Sequence, residues 1–337
     1  MTIIDKTLSA LSIGEPKTYR NLAVFPLYAA EARTPDYLIL DEGLEQGACR
    51  VTEISEGGSV PELRFENPSD HRILLLDGEE LIGARQNRVL NITILVGAGQ
   101  KIVIPVSCVE QGRWSWASRD FASAKRAMYA RGRREKMAQV SASMRASGSR
   151  RSHQGQVWES VACKAANMDV HSPTGAMADV YERSETMLKN YRKRFKTKAG
   201  QNGAVFALDG QVAGLELFDA PETFGKLFPK LLDSYAMDAL ESQVGDSDAP
   251  SQDQVADFLS RVARANVENF EALAEGRDLR LHGDGIVGGA LEADNWVIHL
   301  SVFDMPDAGR RHEPEPGARR ASRIVSLASR RGHRRTN

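Results

Sequence analysis

The sequence predicts an α+β fold in which a strand-rich N-terminal half with antiparallel hairpins packs with several amphipathic helices and a C-terminal antiparallel hairpin. Three observations carry that prediction. Short runs of Val, Ile, Leu, Phe, Tyr and Thr bounded by Gly, Pro, Asn or Asp dominate residues 20–106, which is strand spacing. After Trp116 the apolar period lengthens to that of helices. Strands return around Asp209-Gly210 and again from Leu279, an order unlike the strict alternation of a parallel α/β sheet.

The expected strands are NLAVFPLYA, YLILDEG, CRVTEIS, ELRFENP, RILLLDGEEL, NITILV and KIVIPVS, with a short helix over DEGLEQG. Asp77-Gly78 between RILLL and EELIG reads as a two-residue hairpin turn, because glycine accepts the positive φ such a turn requires. Were residues 79–91 one plain strand, both its faces would carry polar side chains and neither would bury, so a break is expected near Gly83, with ARQNR as a loop or bulge. SRDFASAKRAMYARGRREKMAQVSASMRA reads as a helix with Phe121, Ala124, Met128, Met137, Val140 and Met144 on one face. Further helices are expected over about 154–168 and 175–195. GAVFALDGQVAGLELF is a second Asp-Gly hairpin that feeds the helix PETFGKLFPKLLDSYAMDALE. SQDQVADFLSRVARANVENFEALA reads as one more helix, opened by a capping box at Ser251 and Gln254. LRLHGDGIVGGALEADNWVIHLSVF supplies two or three closing strands.

These elements are read as a single domain over residues 1–305, strand-rich at 17–116, helical at 117–200 and mixed at 201–305. With 42% hydrophobic and 26% charged residues, the chain has the composition of a globular protein. No run approaches the roughly 18 apolar residues of a membrane span, and the N-terminus lacks the order of a signal peptide. No membrane association is expected. Three cysteines, Cys49, Cys108 and Cys163, are odd in number and form no CxxC pair, which fits a reducing compartment, hence the cytoplasm. Residues 306–337 carry nine arginines against Asp307, Glu313 and Glu315, about +6 of net charge, while the whole chain has a net charge of -1. That stretch has no periodic apolar face, so it reads as a disordered tail, one that can also hold nucleic acid through phosphate contacts.

The stretch from Asp77 to Trp114 departs from the apolar pattern around it. Asp77, Glu79, Glu80 and Glu110 are candidate acid/base groups, and Glu79 with Glu80 can offer oxygen ligands to Mg²⁺. Arg88 and Arg113 can grip a phosphate bidentately. Gln86, Asn87 and Asn91 add amide donors and acceptors suited to a base or ribose. Trp114 follows at once. Cys108 reads as a buried structural thiol, since no histidine stands close to it in sequence. The histidines show no HxH or HExxH spacing that would mark zinc. Two basic stretches, KRAMYARGRREK and RKRFKTK, interleave Tyr129, Tyr191 and Phe195 with positive charge, a composition able to bind RNA.

LDGEELIGARQNRVLN and IPVSCVEQGRW resemble the signature of the ARPP-1 family, named for its association with ADP-ribosylglycohydrolase and rhodanese-phosphatase superfamily proteins, and GAVFALDGQVAGLELFD is similar to it as well. The likeness covers residues 17–305. It implies nucleotide-, ADP-ribose- or RNA-linked metabolism, and by motif it carries over Asp77, Glu79, Glu80, Gln86, Asn87, Arg88, Asn91, Cys108, Glu110, Arg113 and Trp114. The expected function is an enzyme, possessing a hydrolase-type site, that acts on a phosphorylated ligand. The alternatives are a non-catalytic nucleotide- or RNA-binding regulatory module and a structural oligomerisation domain.

Overall fold

In a computed structural model the described residues are 1–242 and 244–305, so the stretch 306–337, read above as a disordered tail, lies outside the described residues. The chain opens with α1 (Ile3–Ser9), whose N-terminus is capped by the Thr2 hydroxyl accepting the Asp5 N–H, followed by β1 (Leu11–Ile13), β2 (Lys17–Tyr19), β3 (Leu22–Ala29) and β4 (Tyr37–Ile39). The short α2 (Leu40–Glu45) precedes eight strands: β5 (Arg50–Glu53), β6 (Glu62–Glu66), β7 (Arg72–Leu75), β8 (Glu79–Gly83), β9 (Arg88–Leu90), β10 (Ile94–Val96), β11 (Lys101–Cys108) and β12 (Asp120–Ala127). Then come α3 (Ala130–Ser147), α4 (Gln154–Asn167) and α5 (Met177–Arg194). The hairpin β13 (Gly203–Leu208) and β14 (Gln211–Phe218) leads to α6 (Pro221–Ser242) and α7 (Gln252–Arg264). Last come β15 (Asn266–Glu271), β16 (Arg277–Gly283), β17 (Ile286–Ala293) and β18 (Trp296–Asp304).

Six strands close into a barrel in the order β11–β6–β5–β12–β8–β9. Closure leaves no strand edge unpaired. Alternation along each strand turns Val51, Leu63, Phe65, Leu81, Leu90, Ile104, Val106 and Phe121 into one apolar cluster. A nine-stranded sheet runs β1–β3–β13–β14–β18–β17–β16–β15, with β2 also on β3. It is buried on both faces. Phe206, Phe218 and Phe303 pack with Phe224, Phe228 and Tyr235 of α6, while Phe25, Leu215 and Leu300 pack with Ile4 of α1 and Phe258 of α7. This double covering is why GAVFAL and GLELF read as near-continuous apolar runs. A three-stranded sheet, β10–β7–β4, completes the architecture. Among the described residues no helix is long and apolar enough to cross a membrane.

The α+β class, the short helix after β4, the break after Gly83 and the capping box at Ser251 and Gln254 are all present. The turn at Asp209-Gly210, with φ of 51° and 77°, joins β13 to β14 as a hairpin. Three expectations are corrected. Asp77-Gly78 does form a turn, closed by the Glu79 N–H on the Leu76 carbonyl at 3.1 Å, but β7 pairs with β10 and β4 while β8 pairs with β12 and β9. The turn therefore passes the chain from one sheet to another and makes no hairpin. Residues 120–127, read as the start of a helix, are a strand that fills the gap between β5 and β8 with Phe121 turned into the barrel. Their mixed composition, with Ala or Ser at four of the eight positions, permits either structure, and pairing with two partners distant in sequence decides it. The helix opened at Ser251 stops at Arg264, because the following residues alternate along the exposed edge of the large sheet as β15.

Two glycines calibrate the packing. A Cβ on Gly214 in β14 would stand 2.5 Å from Tyr235 Oη and 2.8 Å from the Val302 carbonyl oxygen, whereas one on Gly225 in α6 would meet nothing within 4 Å. Gly214→Ala is expected to cost roughly 1–3 kcal/mol through overpacking. Gly225→Ala should raise stability by about 0.5–1 kcal/mol, because alanine loses less backbone freedom in a helix. Urea unfolding of the two variants measures both.

Candidate functional site

At one end of the barrel the inner wall changes from apolar to polar. On β9, Arg88 shares the inward face of Leu90; on β11, Cys108 continues the face of Ile104 and Val106; on β5, Glu53 continues that of Val51. Register places Arg88 opposite Cys108. The Arg88 side chain is fully buried, at 0% exposure. Its Nη1 donates to Gln86 Oε1 at 3.0 Å, but its Nε and Nη2 have no hydrogen-bond partner. Burial pulls the guanidinium below its usual value, against the upward pull of Cys108 and Glu53 beside it. Glu53 leaves its own buried Oε2 unpartnered, while Oε1 accepts the Arg85 N–H at 3.4 Å. Burial also raises the Cys108 thiol, against the opposing charge of Arg88. That thiol donates to Gln86 Oε1 at 3.2 Å.

The mouth is framed by a strained loop that one arginine staples. Gly83 and Ala84 both take positive φ, 120° and 37°, and for alanine this is a costly conformation that surrounding contacts must impose. Arg113 supplies many of them, donating to the Ala84 carbonyl at 2.8 Å, the Gly83 carbonyl at 3.2 Å and Asn87 Oδ1 at 3.0 Å. It also pairs with Glu110 at 2.6 Å. Glu110 in turn accepts the Asn87 N–H at 3.0 Å and the Thr174 hydroxyl at 3.1 Å. Over the mouth, Arg85 lies 5.6 Å from the Trp114 ring and 4.8 Å from that of Trp116. Both tryptophans are close to half exposed. Trp114 also lies 5.8 Å from the Arg88 guanidinium.

A family model described as ARG and Rhodanese-Phosphatase-superfamily-associated Protein domain matches residues 10–303, which spans the barrel and the large sheet alike. The chain belongs to the ARPP-1 family. Searches of curated proteins and of solved structures gave no match.

The ARPP-1 domain thus brings Gln86, Asn87, Arg88, Cys108, Glu110, Arg113 and Trp114 into one place, and it sends the other candidates elsewhere. Glu79 Oε1 pairs with Lys230 of α6 at 2.5 Å and its Oε2 accepts the Leu76 N–H at 2.9 Å. Glu80 pairs with Arg126 at 2.6 Å. Both are fully buried, and burial raises both carboxyls against the pull of those partners. The two therefore face separate cations, which leaves them no common Mg²⁺ to hold, and among the described residues no cluster of His, Cys, Asp or Glu is placed for a metal ion. Asp77 is bound by Lys136 of α3. Asn91 accepts from Ser107 at 2.6 Å and donates to the Arg150 carbonyl at 3.0 Å. Arg113, expected to hold phosphate, spends its donors on the loop.

In the basic stretches Arg133 and Lys136 are buried, as are Tyr129, Tyr191 and Phe195, so these aromatics offer no stacking surface. Sequence reasoning missed Glu53, Arg85 and Trp116. Glu53 carried a signal, a charge on the face of β5 where alternation asks for an apolar residue.

The pH dependence of the staple follows from its charges. Burial pushes the Glu110 carboxyl up, but Arg113 and the Asn87 N–H more than offset this and hold it below its ordinary value. A carboxyl depressed in the folded state contributes stability that is present above its unfolded value, about 4.3, and is lost as pH falls through the lowered one. The stability difference between wild type and Glu110→Gln should accordingly be large at pH 7 and shrink as pH is taken toward 3. Urea unfolding across that range measures it.

Proposed function

We propose that the ARPP-1 domain binds and processes a phosphorylated, nucleotide-like ligand at the barrel mouth, with Arg88 on phosphate. The observation that carries the reading is the buried Arg88 guanidinium with two nitrogens left without partners. A buried charge is costly unless paired, and a guanidinium presents its N–H groups in a planar fork that suits an oxyanion. Trp114 and Trp116, flanking Arg85, offer aromatic faces on which a base can stack. Glu53, with a free carboxylate oxygen beside Arg88, takes the acid/base role that the sequence assigned to Asp77, Glu79, Glu80 and Glu110. ADP-ribose and related nucleotides combine these features in one molecule. The three cysteines are free thiols, two buried and Cys163 exposed, which fits a reducing cytoplasm. The exposed tryptophans equally suit a module that holds a nucleotide or RNA without turning it over. That reading predicts the same binding with no consumption of the ligand.

A titration with ADP-ribose, NAD and short RNA, with and without Mg²⁺, tests the proposal by thermal shift. At a hundredfold excess over Kd a bound ligand should add about 2.7 kcal/mol of apparent stability. Arg88→Lys should weaken binding roughly tenfold or more, since lysine keeps the charge and loses the fork. The proposal fails if no ligand shifts the melting temperature or if Arg88→Lys binds as tightly as wild type.

A further inference from the structure

Away from the barrel mouth, the start of α3, the C-terminal end of α6 and the turn between β13 and β14 enclose a cavity of about 360 Å³. That is the lower end of the range in which small-molecule sites fall. The best-buried part of its lining is apolar, with Phe303 of β18 and Ala130 of α3 buried and Leu208 and Ala213 of the hairpin half-buried. The rest is charged, and Arg131, Arg134, Asp209, Asp238 and Glu241 supply that charge.

Most of the charge is neutralised within the fold. Asp238 meets Lys164 of α4 through Oδ1 and accepts the Arg131 N–H at 2.7 Å through Oδ2. Glu241 Oε2 meets the same Lys164 at 2.7 Å, while its Oε1 accepts from Arg131 Nη2 at 2.8 Å and from Asn167 Nδ2 at 2.6 Å. Lys164 is fully buried, so these two carboxylates are the partners its charge requires. One charge of each sign is left over. Among the described residues Arg134 meets no carboxylate, and its hydrogen bond to the Asp304 carbonyl is long, at 3.4 Å. Asp209, exposed at the turn with φ of 51°, accepts from Asn21 Nδ2 at 2.8 Å and from the Ser242 hydroxyl at 3.2 Å through Oδ1. Among the described residues its Oδ2 has no partner. A ligand with a single charge would pair with one of the two and be repelled by the other, whereas a zwitterion satisfies both.

We infer that this cavity binds a free α-amino acid with an apolar side chain, its carboxylate on Arg134, its ammonium on Asp209 Oδ2 and its side chain against Phe303 and Leu208. The planar guanidinium fork matches a carboxylate bidentately. The volume suits a molecule of that size, and the apolar wall takes a side chain that water solvates poorly. No residue here belongs to the barrel mouth, so the inference stands or falls independently of nucleotide binding.

Isothermal titration calorimetry of the full chain tests it with L-leucine and L-phenylalanine, and with the counterparts of each that lack the ammonium (isocaproate, hydrocinnamate) or the carboxylate (isoamylamine, phenethylamine). The expected result is saturable binding of the amino acids, with every counterpart weaker by about tenfold or more, the usual scale for a lost hydrogen bond to a charged group. Arg134→Gln and Asp209→Asn should each weaken amino-acid binding by about the same factor. Asparagine keeps an Oδ1 for Asn21 and Ser242 and tolerates the positive φ of the turn, and urea unfolding of both variants verifies the fold. Absence of binding by both amino acids overturns the inference. So does a counterpart that binds as tightly as its amino acid, or a folded variant that binds as tightly as the wild type. The comparison of counterparts uses the wild-type chain and decides the matter even if a variant does not fold.

Discussion

A fully buried ion pair between Arg133 of α3 and Glu216 of β14 is the constraint on which the arrangement of the sheets rests. Both side chains have no exposure, so the attraction between them is little screened by solvent. Burial lowers the Arg133 guanidinium, yet Glu216 and Asp77 hold it above its ordinary value. From this pair the contacts spread to every layer. Glu216 also receives the Tyr235 hydroxyl of α6 at 3.3 Å and the Ser301 hydroxyl of β18 at 3.2 Å. One helical turn along α3, Lys136 donates to the Leu90 carbonyl of the barrel at 2.9 Å and to Asp77 at the turn between β7 and β8. Gly78 belongs to the same device, because a Cβ there would stand 2.8 Å from Arg133 Cδ. One helix thus binds the barrel to the large sheet through cations that each meet a buried carboxylate, which is how buried charge becomes tolerable.

Against that background Arg88 is the exception. Arg133 and Lys136 each meet a carboxylate, whereas the Arg88 guanidinium meets an amide, a thiol and a tryptophan face and keeps two nitrogens free. The barrel holds it there because β8, β9 and β11 are locked in register around it. The loop over it is held by Arg113 and Glu110 in a backbone conformation that alanine rarely adopts. Strain and unpaired charge at the same spot are the two features that tend to persist where a ligand compensates for them.

Local signals were the legible ones. The Asp209-Gly210 hairpin, the Ser251 cap and the break at Gly83 follow from turn chemistry, capping and a strand polar on both faces, all of which act within a few residues. The grouping of Gln86, Asn87, Arg88, Cys108, Glu110, Arg113 and Trp114 was legible for a related reason, since β9 and β11 are close in sequence and pair directly. What stayed hidden depends on distant partners. Residues 120–127 become a strand only because β5 and β8 need a neighbour to close the barrel. Glu79 and Glu80 leave the site because Lys230 and Arg126 approach from α6 and β12. Arg133 and Lys136 sit in a run whose composition reads as a solvated face, and only the positions of Glu216 and Asp77 reveal that they point inward.

Two kinds of buried charge are therefore present, cations that each meet a carboxylate and hold the fold together, and the Arg88 guanidinium, which under the proposed function receives a ligand. The stability of Arg88→Met, measured by urea unfolding of the ligand-free protein, tests that separation most directly. Methionine fills similar space without a charge, so the account predicts a stability equal to or above that of the wild type. A loss of about 3–5 kcal/mol, the scale on which one partner of a buried ion pair is missed, would show that Arg88 is paired within the fold and would contradict it.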